Sequence, residues 1–186
     1  MKRAFSLLLA LVMVLGLLPP TAQAVELNDG LQYEVYENHV EITGYTGDAT
    51  EVVIPAEIEG LPVTVIGNYA FDHCDNLTSI DIPNSVTSIG RRAFYCTNLV
   101  SIEIPDSITS IDDDAFWGCD RLTSISIPDS VTSIGYSVFS NCTSLTNATL
   151  PSTMTAIPPS IFLGCTKLTD IVIPDCVTTI SFEAFS

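Results

Sequence analysis

The chain has 186 residues, and its 22 acidic residues against six basic ones give a formal net charge of −16 at pH 7. An excess of this size argues against nucleic acid or an anionic membrane surface as the partner. It is compatible with an extracellular, highly soluble protein.

The first 24 residues have the order of features that is typical of a secretory signal peptide. Lys2 and Arg3 precede an apolar run over 4–18 and a small-residue site that ends at Ala24. The pattern predicts that residues 1–24 are removed, because short apolar runs followed by such sites are cleaved on export. The alternative, a membrane anchor, is disfavoured because the run is short for a spanning helix. We therefore expect a secreted or cell-surface protein with no membrane insertion after cleavage.

Removal of this segment leaves four basic residues against the 22 acidic ones. The four are Arg91, Arg92, Arg121 and Lys167.

Apolar and polar residues alternate from Leu31 to Gly44 around a polar turn at Glu37 and Asn38. This alternation predicts a β-hairpin. Terminal units of a repeat stack need a cover, since their apolar faces otherwise meet water. We expect residues 25–49 to form that N-terminal cap.

Six phenylalanines recur at spacings of 22 or 23 residues along the rest of the chain. They are Phe71, Phe94, Phe116, Phe139, Phe162 and Phe185. A fixed period of this length indicates one supersecondary unit that is repeated and stacked. We expect the array to span residues 50–186, with about six repeats of which the last is incomplete.

Within a repeat, Ile80 and Ile82 alternate with polar residues, which predicts a half-buried strand that ends at Pro83. The run 86–89 predicts a second, shorter extended stretch or turn. The next position holds Gly, Asp, Pro or Ser along the array, and these residues favour the start of a single helical or 3₁₀ turn. The predicted fold is an α/β solenoid: a right-handed stack of coils, each with one short parallel strand and one short helical turn.

Five of the six cysteines also follow the repeat, two or three residues after the phenylalanine. They are Cys74, Cys96, Cys119, Cys142 and Cys165. We interpret them as small inward-facing residues of a core ladder, with the short repeat missing one residue between Phe94 and Cys96.

Six cysteines in a secreted chain otherwise suggest three disulfides. Neighbouring coils place Cα atoms inside the disulfide range of about 4.4–6.8 Å, but parallel side-chain directions disfavour pairing. We expect buried free thiols, and the oxidation state of neighbouring pairs stays open. Cys176 occupies a slot that holds serine in earlier repeats.

The sequence has no catalytic or metal-binding constellation that we can identify. The cysteine spacing lacks the close pairs of zinc sites, and His73 adjoins a cysteine that we expect to face the core. The run Asp112 to Asp114 has the ligand type of calcium sites, but we favour one capping aspartate followed by two solvated carboxylates. We expect no enzyme activity, no cofactor and no metal.

The best ligand candidates are the outward-facing positions of the predicted strands, which we expect to form one continuous strip. They are Ser79, Asp81, Ser101, Glu103, Ser124, Ser126, Asn147, Thr149 and Asp170. The alternative is a plain solvated sheet face. A second row of hydroxyls is predicted to satisfy turn backbone groups instead. Its members are Thr87, Thr109, Thr132, Thr155 and Thr178.

The consensus Leu-Thr-Ser-Ile-x-Ile-Pro-x-Ser-Val-Thr-Ser-Ile-Gly-x-x-Ala-Phe-x-x-Cys closely resembles the BspA-like, or Treponema pallidum-type, leucine-rich repeat of bacterial surface and secreted proteins. The resemblance covers Leu31 to Ser186. It implies a leucine-rich-repeat solenoid and a role in adhesion to host extracellular proteins or other cells. It also implies that such arrays often occur as modules of larger surface proteins.

We therefore expect a non-catalytic protein that binds a protein or glycan ligand, such as host extracellular matrix or another cell surface. The alternative is a structural spacer or attachment module of a larger surface protein. The chain stops at Ser186, inside a repeat. We expect either that the protein continues or that the uncapped repeat associates end to end with a second copy.

Overall fold

A computed structural model describes residues 30–186. The predicted signal peptide and the first residues of the predicted cap lie outside this part of the chain. The described chain winds into six coils, each containing one of the recurrent phenylalanines. Coil 1 spans residues 50–76, coil 2 77–98, coil 3 99–121, coil 4 122–144, coil 5 145–167 and coil 6 168–186.

The fourteen strands are short. In chain order they are β1 (Leu31–Val35), β2 (Val40–Tyr45), β3 (Glu51–Val53), β4 (Glu57–Ile58), β5 (Leu61–Ile66), β6 (Ser79–Asp81), β7 (Ser88–Ile89), β8 (Ser110–Ile111), β9 (Ser124–Ser126), β10 (Ser133–Ile134), β11 (Asn147–Thr149), β12 (Ala156–Ile157), β13 (Asp170–Val172) and β14 (Thr179–Ile180).

The strands of the coils form two rows that run along the stack. The first strand row contains β3, β6, β9, β11 and β13, and the second strand row contains β5, β7, β8, β10, β12 and β14. Most neighbours within a row pair in parallel, as in β11 with β9 and in β7 with β8, but β6 does not pair with β9 and β10 does not pair with β12. The prediction of one strand per repeat is wrong, because the run after the proline is also extended and pairs with the coils beside it.

The N-terminal hairpin is present as an antiparallel pair of β1 and β2. Strand β2 also pairs in parallel with β5 and therefore continues the second strand row beyond coil 1. Its inward residues Val40 and Ile42 are fully buried. The hairpin covers the apolar end of the stack in the way that a terminal repeat requires.

From Pro55 to Phe71, coil 1 is five residues longer than coil 2 is from Pro83 to Phe94. The extra residues form a second, smaller hairpin from β4 and β5. Its turn residues Glu59 and Gly60 both have positive φ, 56° and 78°. Two successive positive φ values define the tight hairpin turn whose twist matches that of the flanking strands. The inserted residues thus project from coil 1 as a hairpin, and the strands that pair with neighbouring coils keep their places.

The phenylalanines form the central ladder of the core. From Phe71 to Phe162 each is at most 1% exposed. Consecutive rings stack with centroids 5.1 to 5.8 Å apart. Burial of one such side chain stabilises the fold by about 1.5–3 kcal/mol, so the ladder is a major source of cohesion between coils.

The segment around each phenylalanine is a series of turns, and residues 30–186 contain no helix. Successive amides in this segment alternate between a carbonyl of their own coil and a carbonyl of the next coil. Asp72 N–H donates to Tyr69 O at 3.2 Å, whereas Phe71 N–H donates to Ala93 O of the next coil at 2.7 Å. Two positive-φ residues flank the phenylalanine in each of coils 1 to 5, such as Tyr69 and His73 in coil 1, and they redirect these amides. The predicted helical turn is therefore not found, because bonding between coils replaces bonding along a helix.

The position predicted as a helix N-cap belongs to the second strand row instead. Gly67 N–H donates to Ile42 O, and Gly90 N–H donates to Ile66 O, both at 2.8 Å. A Cβ at Gly90 would lie 2.8 Å from backbone atoms of the preceding coil. The absence of a Cβ at Gly90 lets the neighbouring backbones approach closely, whereas Asp112, Pro158 and Ser181 hold the same position in other coils.

The cysteine ladder is confirmed in coils 3 to 5, where Cys119, Cys142 and Cys165 are buried. Each thiol donates to the phenylalanine carbonyl of the preceding coil, as Cys119 does to Phe94 O at 3.2 Å. All six cysteines are free in the structure. Cys74 is only half-buried.

Cys96 does not belong to this ladder, which corrects the alignment of the short repeat. The ladder position of coil 2 is held by Thr97, which is 1% exposed. Its hydroxyl lies 3.2 Å from the Cys119 sulfur. Cys96 instead has φ 55° and takes the left-handed position that His73 holds in coil 1. The missing residue therefore lies after Thr97, because the turns before it keep their full length.

The first strand row is interrupted in coil 3. Residues 101–105 form no strand, so β6 pairs only with β3, and β9 pairs only with β11. The interruption directly follows the missing residue, which shortens the connection into coil 3 by about 3.3–3.6 Å of chain. Ile102 is half-buried, whereas Ile80 and Ile125 at the same position are buried.

Candidate functional site

Seven of the nine side chains predicted as a ligand strip lie on strands of the first strand row, and Ser101 and Glu103 hold the same positions in coil 3, which forms no strand there. All nine alternate with buried or half-buried residues. We call them the strand strip. Eight of the nine are exposed and Asn147 is half-buried. Asn147 pairs with Ser124 on one side and with Asp170 on the other. Because strand side chains alternate between faces, the strip is one solvent-facing surface across coils 2 to 6.

Coil 1 extends this surface by one more pair of positions. Glu51 lies opposite Ser79, and Val53 lies opposite Asp81. The nine side chains of the strand strip make no hydrogen bond or ion pair within residues 30–186. Polar groups that the protein itself leaves unused are available to a ligand.

The second row of hydroxyls is different, because its members are used by the fold. Thr87 Oγ1 donates to Thr64 O at 3.2 Å, and Thr109 Oγ1 donates to Thr87 O at the same distance. Thr132 and Thr178 repeat the bond in later coils. The prediction that this row satisfies backbone groups is confirmed for these four threonines. Their hydroxyl protons are not free for a ligand.

The structure adds an aromatic surface that the sequence argument missed. On the turn side, Tyr95 stacks on Trp117 with ring centroids 4.7 Å apart. The Arg92 guanidinium lies 4.9 Å from the centre of the Tyr95 ring and 3.2 Å from an Asp114 oxygen. The signal in the sequence was the slot directly after the phenylalanine, which holds Tyr95 in coil 2 and Trp117, the chain's one tryptophan, in coil 3.

The three consecutive aspartates all have structural partners. Asp112 accepts the amide of Asp113 at 2.8 Å, and Asp113 accepts the amide of Tyr136 at 3.1 Å. Asp114 pairs with Arg92. Within residues 30–186, no group of three or more His, Cys, Asp or Glu side chains is arranged to hold a metal ion.

A cleft of about 360 Å³ lies where the N-terminal hairpin meets coil 1. Its lining includes Tyr45, Asp72, Cys74 and Asp75. Burial, followed by the charges of Asp72 and Asp75, raises the pKa of the Cys74 thiol to about 11. The thiol is thus protonated near neutral pH, which makes it a poor nucleophile.

Known proteins support the fold. The sequence profile described as the BspA type leucine rich repeat region matches residues 62–186 in six copies. Among curated proteins, none matches the chain. No helix among residues 30–186 has the length and apolar character needed to cross a bilayer.

Three solved structures illustrate the similarity. A leucine-rich repeat protein of T. pallidum, TpLRR, is 29% identical, with 82% of this chain and 84% of that chain covered and a TM-score of 0.68. One from Bacteroides ovatus is 29% identical, with coverage of 83% and 52% and a TM-score of 0.62. One from Bacteroides capillosus is 33% identical, with coverage of 62% and 90% and a TM-score of 0.57.

The chain thus spans about half the length of the B. ovatus protein. The six-copy match extends over two thirds of the sequence and agrees with the coils seen in the structure. The chain belongs to the BspA-type leucine-rich repeat family.

Proposed function

We propose that this protein is exported from a bacterial cell and binds a protein or glycan ligand through the strand strip, without catalysis. The observation that carries the proposal is the contrast between the two polar rows. The threonine row donates its hydroxyls to the backbone, whereas the strand strip keeps its polar groups unpaired and exposed. A stack of repeats presents the kind of extended surface that solenoid proteins use for binding, which supports a binding role.

Export is supported by the composition of residues 1–24 and by the acidic excess of the remainder. Expression of the full chain in a bacterial host tests it by mass measurement of the protein outside the cytoplasm. The expected product begins at Val25. Recovery of the uncleaved chain in the membrane fraction would support the anchor instead.

Binding is tested with arrays of extracellular-matrix proteins and of glycans, probed with residues 25–186. The informative variant is Asp81→Lys with Glu103→Lys, because both carboxylates are exposed members of the strand strip in neighbouring coils. The control is Glu37→Lys with Glu57→Lys, which makes the same change in net charge at exposed positions away from the strip. We expect a ligand whose binding is lost in the first variant and kept in the second.

If no array component binds the unmodified protein, the spacer role becomes the better explanation of the fold. If a ligand binds both variants as well as the unmodified protein, the strand strip is not the binding surface. The aromatic pair Tyr95 and Trp117 is then the next surface to change, since tyrosine and tryptophan dominate many interfaces.

A further inference from the structure

We infer that the strand strip takes an extended, lysine- or arginine-rich protein segment, and that this segment docks at the interruption in coil 3. The inference rests on the proposed function and names the ligand class for the same surface. It follows from the charge of the strip and from the unpaired backbone at its centre.

The charge of the first strand row has one sign. Its twelve outward positions in the six coils include four carboxylates and no basic side chain. The carboxylates are Glu51, Asp81, Glu103 and Asp170. Arg121 and Lys167 precede the strands of coils 4 and 6 and pair with none of the four. A neutral glycan offers these carboxylates no counter-charge, and an anionic glycan is repelled by them.

Two of these carboxylates occupy the same position in neighbouring coils. Asp81 in coil 2 and Glu103 in coil 3 are exposed, and neither has an ion pair or side-chain hydrogen bond. Strand β6 and residues 101–105 do not pair, so the two carboxylates share an exposed surface rather than a paired ladder. No basic side chain among the described residues pairs with either carboxylate, so both are open to a basic side chain of a ligand.

The backbone at the same place is also unpaired. Val100 N–H donates to Thr78 O, and Val100 O accepts from Thr123 N–H. Beyond Val100, the amides and carbonyls of residues 101–104 bond to no other backbone group in the described chain. In coils 1 and 4 the equivalent amides of Ile54 and Ile127 are bonded to the next coil. Unpaired amides and carbonyls favour a partner that brings both donors and acceptors.

A peptide main chain brings both, and its extended form is the one that recognition at sheets uses. It cannot insert between coils, because Phe94 and Phe116 remain stacked at 5.1 Å and β7 remains paired with β8. It therefore lies on the solvent side of residues 101–104 and bonds to those of their amides and carbonyls that do not face the neighbouring coils. There its basic side chains reach Asp81 and Glu103.

The test is a binding titration of residues 25–186 with a synthetic peptide of alternating lysine and serine, followed by fluorescence anisotropy at low and at high salt. The control ligand is the same peptide with glutamate in place of lysine. We expect saturable binding of the lysine peptide, weakened at high salt because the attraction between exposed charges is screened. We expect no binding of the glutamate peptide.

The position is tested with the two charge-matched variants. Asp81→Lys with Glu103→Lys is expected to weaken lysine-peptide binding by about tenfold or more, because two attractive contacts become repulsive. Glu37→Lys with Glu57→Lys is expected to weaken it by no more than about twofold. Equal weakening in both variants would show a response to net charge alone and overturn the inference.

The backbone contribution is tested by amide NMR shifts on titration of the lysine peptide. The largest shifts are expected at residues 101–104, and shifts concentrated elsewhere contradict docking at coil 3. These results are independent of the array experiment. A ligand on the arrays without lysine-peptide binding at coil 3 refutes this inference and leaves the proposed function standing, whereas silent arrays count against the proposed function itself.

Discussion

At the scale of single residues, the stack is held by side chains that repeat in register. Each fully buried phenylalanine contacts the aromatic ring before it and the one after it. Removal of an inner ring therefore takes a stacking contact from both of its neighbours. The thiols of Cys119, Cys142 and Cys165 add hydrogen bonds to carbonyls of the preceding coil. Position in the stack therefore decides how much each side chain contributes.

Phe116→Ala is expected to lower the free energy of unfolding by about 3–5 kcal/mol, because it leaves a cavity in the middle of the ladder. Phe185→Ala is the matched control. Phe185 is 42% exposed and stacks on one side only, so a clearly smaller loss is expected. Urea unfolding followed by circular dichroism measures both. Equal losses would mean that the ladder does not act as a stacked core.

Cys74 predicts a pH dependence of stability. Its pKa is raised to about 11 in the folded chain by burial and by Asp72 and Asp75, whereas an unperturbed thiol titrates near about 8.5. Between these two values the folded state keeps the thiol proton, whereas the unfolded state has lost it. The contribution of Cys74 to the free energy of unfolding is therefore complete below about pH 8.5 and falls as the pH rises toward about 11.

Unfolding of Cys74→Ser at about pH 8 and about pH 10 measures this contribution. The decline in stability between the two values is expected to be smaller than in the unmodified protein. Thr166→Ala, an exposed change that adds or removes no titrating group, should keep the full decline. The same decline in all three proteins would refute the assignment to Cys74.

At the scale of elements, each coil is a ring of short strands and turns with three sets of bonds to its neighbours. These sets are the first strand row, the second strand row and the amides around the phenylalanine. Coil 3 keeps the last two and loses the first. The single missing residue after Thr97 is the structural feature that separates this coil from the rest.

Insertion of an aspartate between Thr97 and Asn98 gives coil 2 the length of coils 3, 4 and 5 and restores the segment seen in coil 1, where Asp75 and Asn76 follow Cys74. We expect residues 101–103 to pair with β6 and β9, and their amide hydrogen exchange to slow. The control is the same insertion between Thr143 and Ser144 in coil 4, which already has the full length. It is expected to destabilise the protein. Unchanged exchange in the first variant would show that chain length does not cause the interruption.

At the scale of the whole molecule, the two ends of the stack differ. The first coil is covered by the hairpin, whereas the last coil exposes large apolar side chains. They include Ile180 at 57% and Phe185 at 42%, whose equivalents in coil 5, Ile157 and Phe162, are buried. A patch of this kind favours association, since burial of apolar surface is stabilising.

For a polypeptide that ends at Ser186, we propose concentration-dependent association through coil 6. Ile180→Asp with Phe185→Asp is expected to yield monomers, because association would bury the new charges. Sedimentation velocity over a range of protein concentrations measures the association. The control is the double variant Glu37→Lys with Glu57→Lys, which should still associate. A monomeric unmodified protein at all concentrations would contradict the proposal.

Sequence periodicity alone determined the solenoid, the number of coils, the buried phenylalanines and the outward positions of the strand strip. It succeeded because stacked repeats place like residues in contact, so a period in the chain is a ladder in space. The cysteine position of coil 2 was misread for the same reason, since Cys96 follows Phe94 closely enough to look like a member of the ladder.

Only the tertiary structure decided what depends on bonds between coils. It replaced the predicted helical turns with amides that alternate between their own coil and the next, because left-handed residues such as Tyr69 and Arg92 redirect them. It added the second strand row and the stacked pair of Tyr95 and Trp117. The tertiary structure also showed that the threonine row bonds to the backbone, whereas the strand strip does not. Hydrogen-bond partners in neighbouring coils are some 23 residues apart, so the local sequence pattern does not identify them.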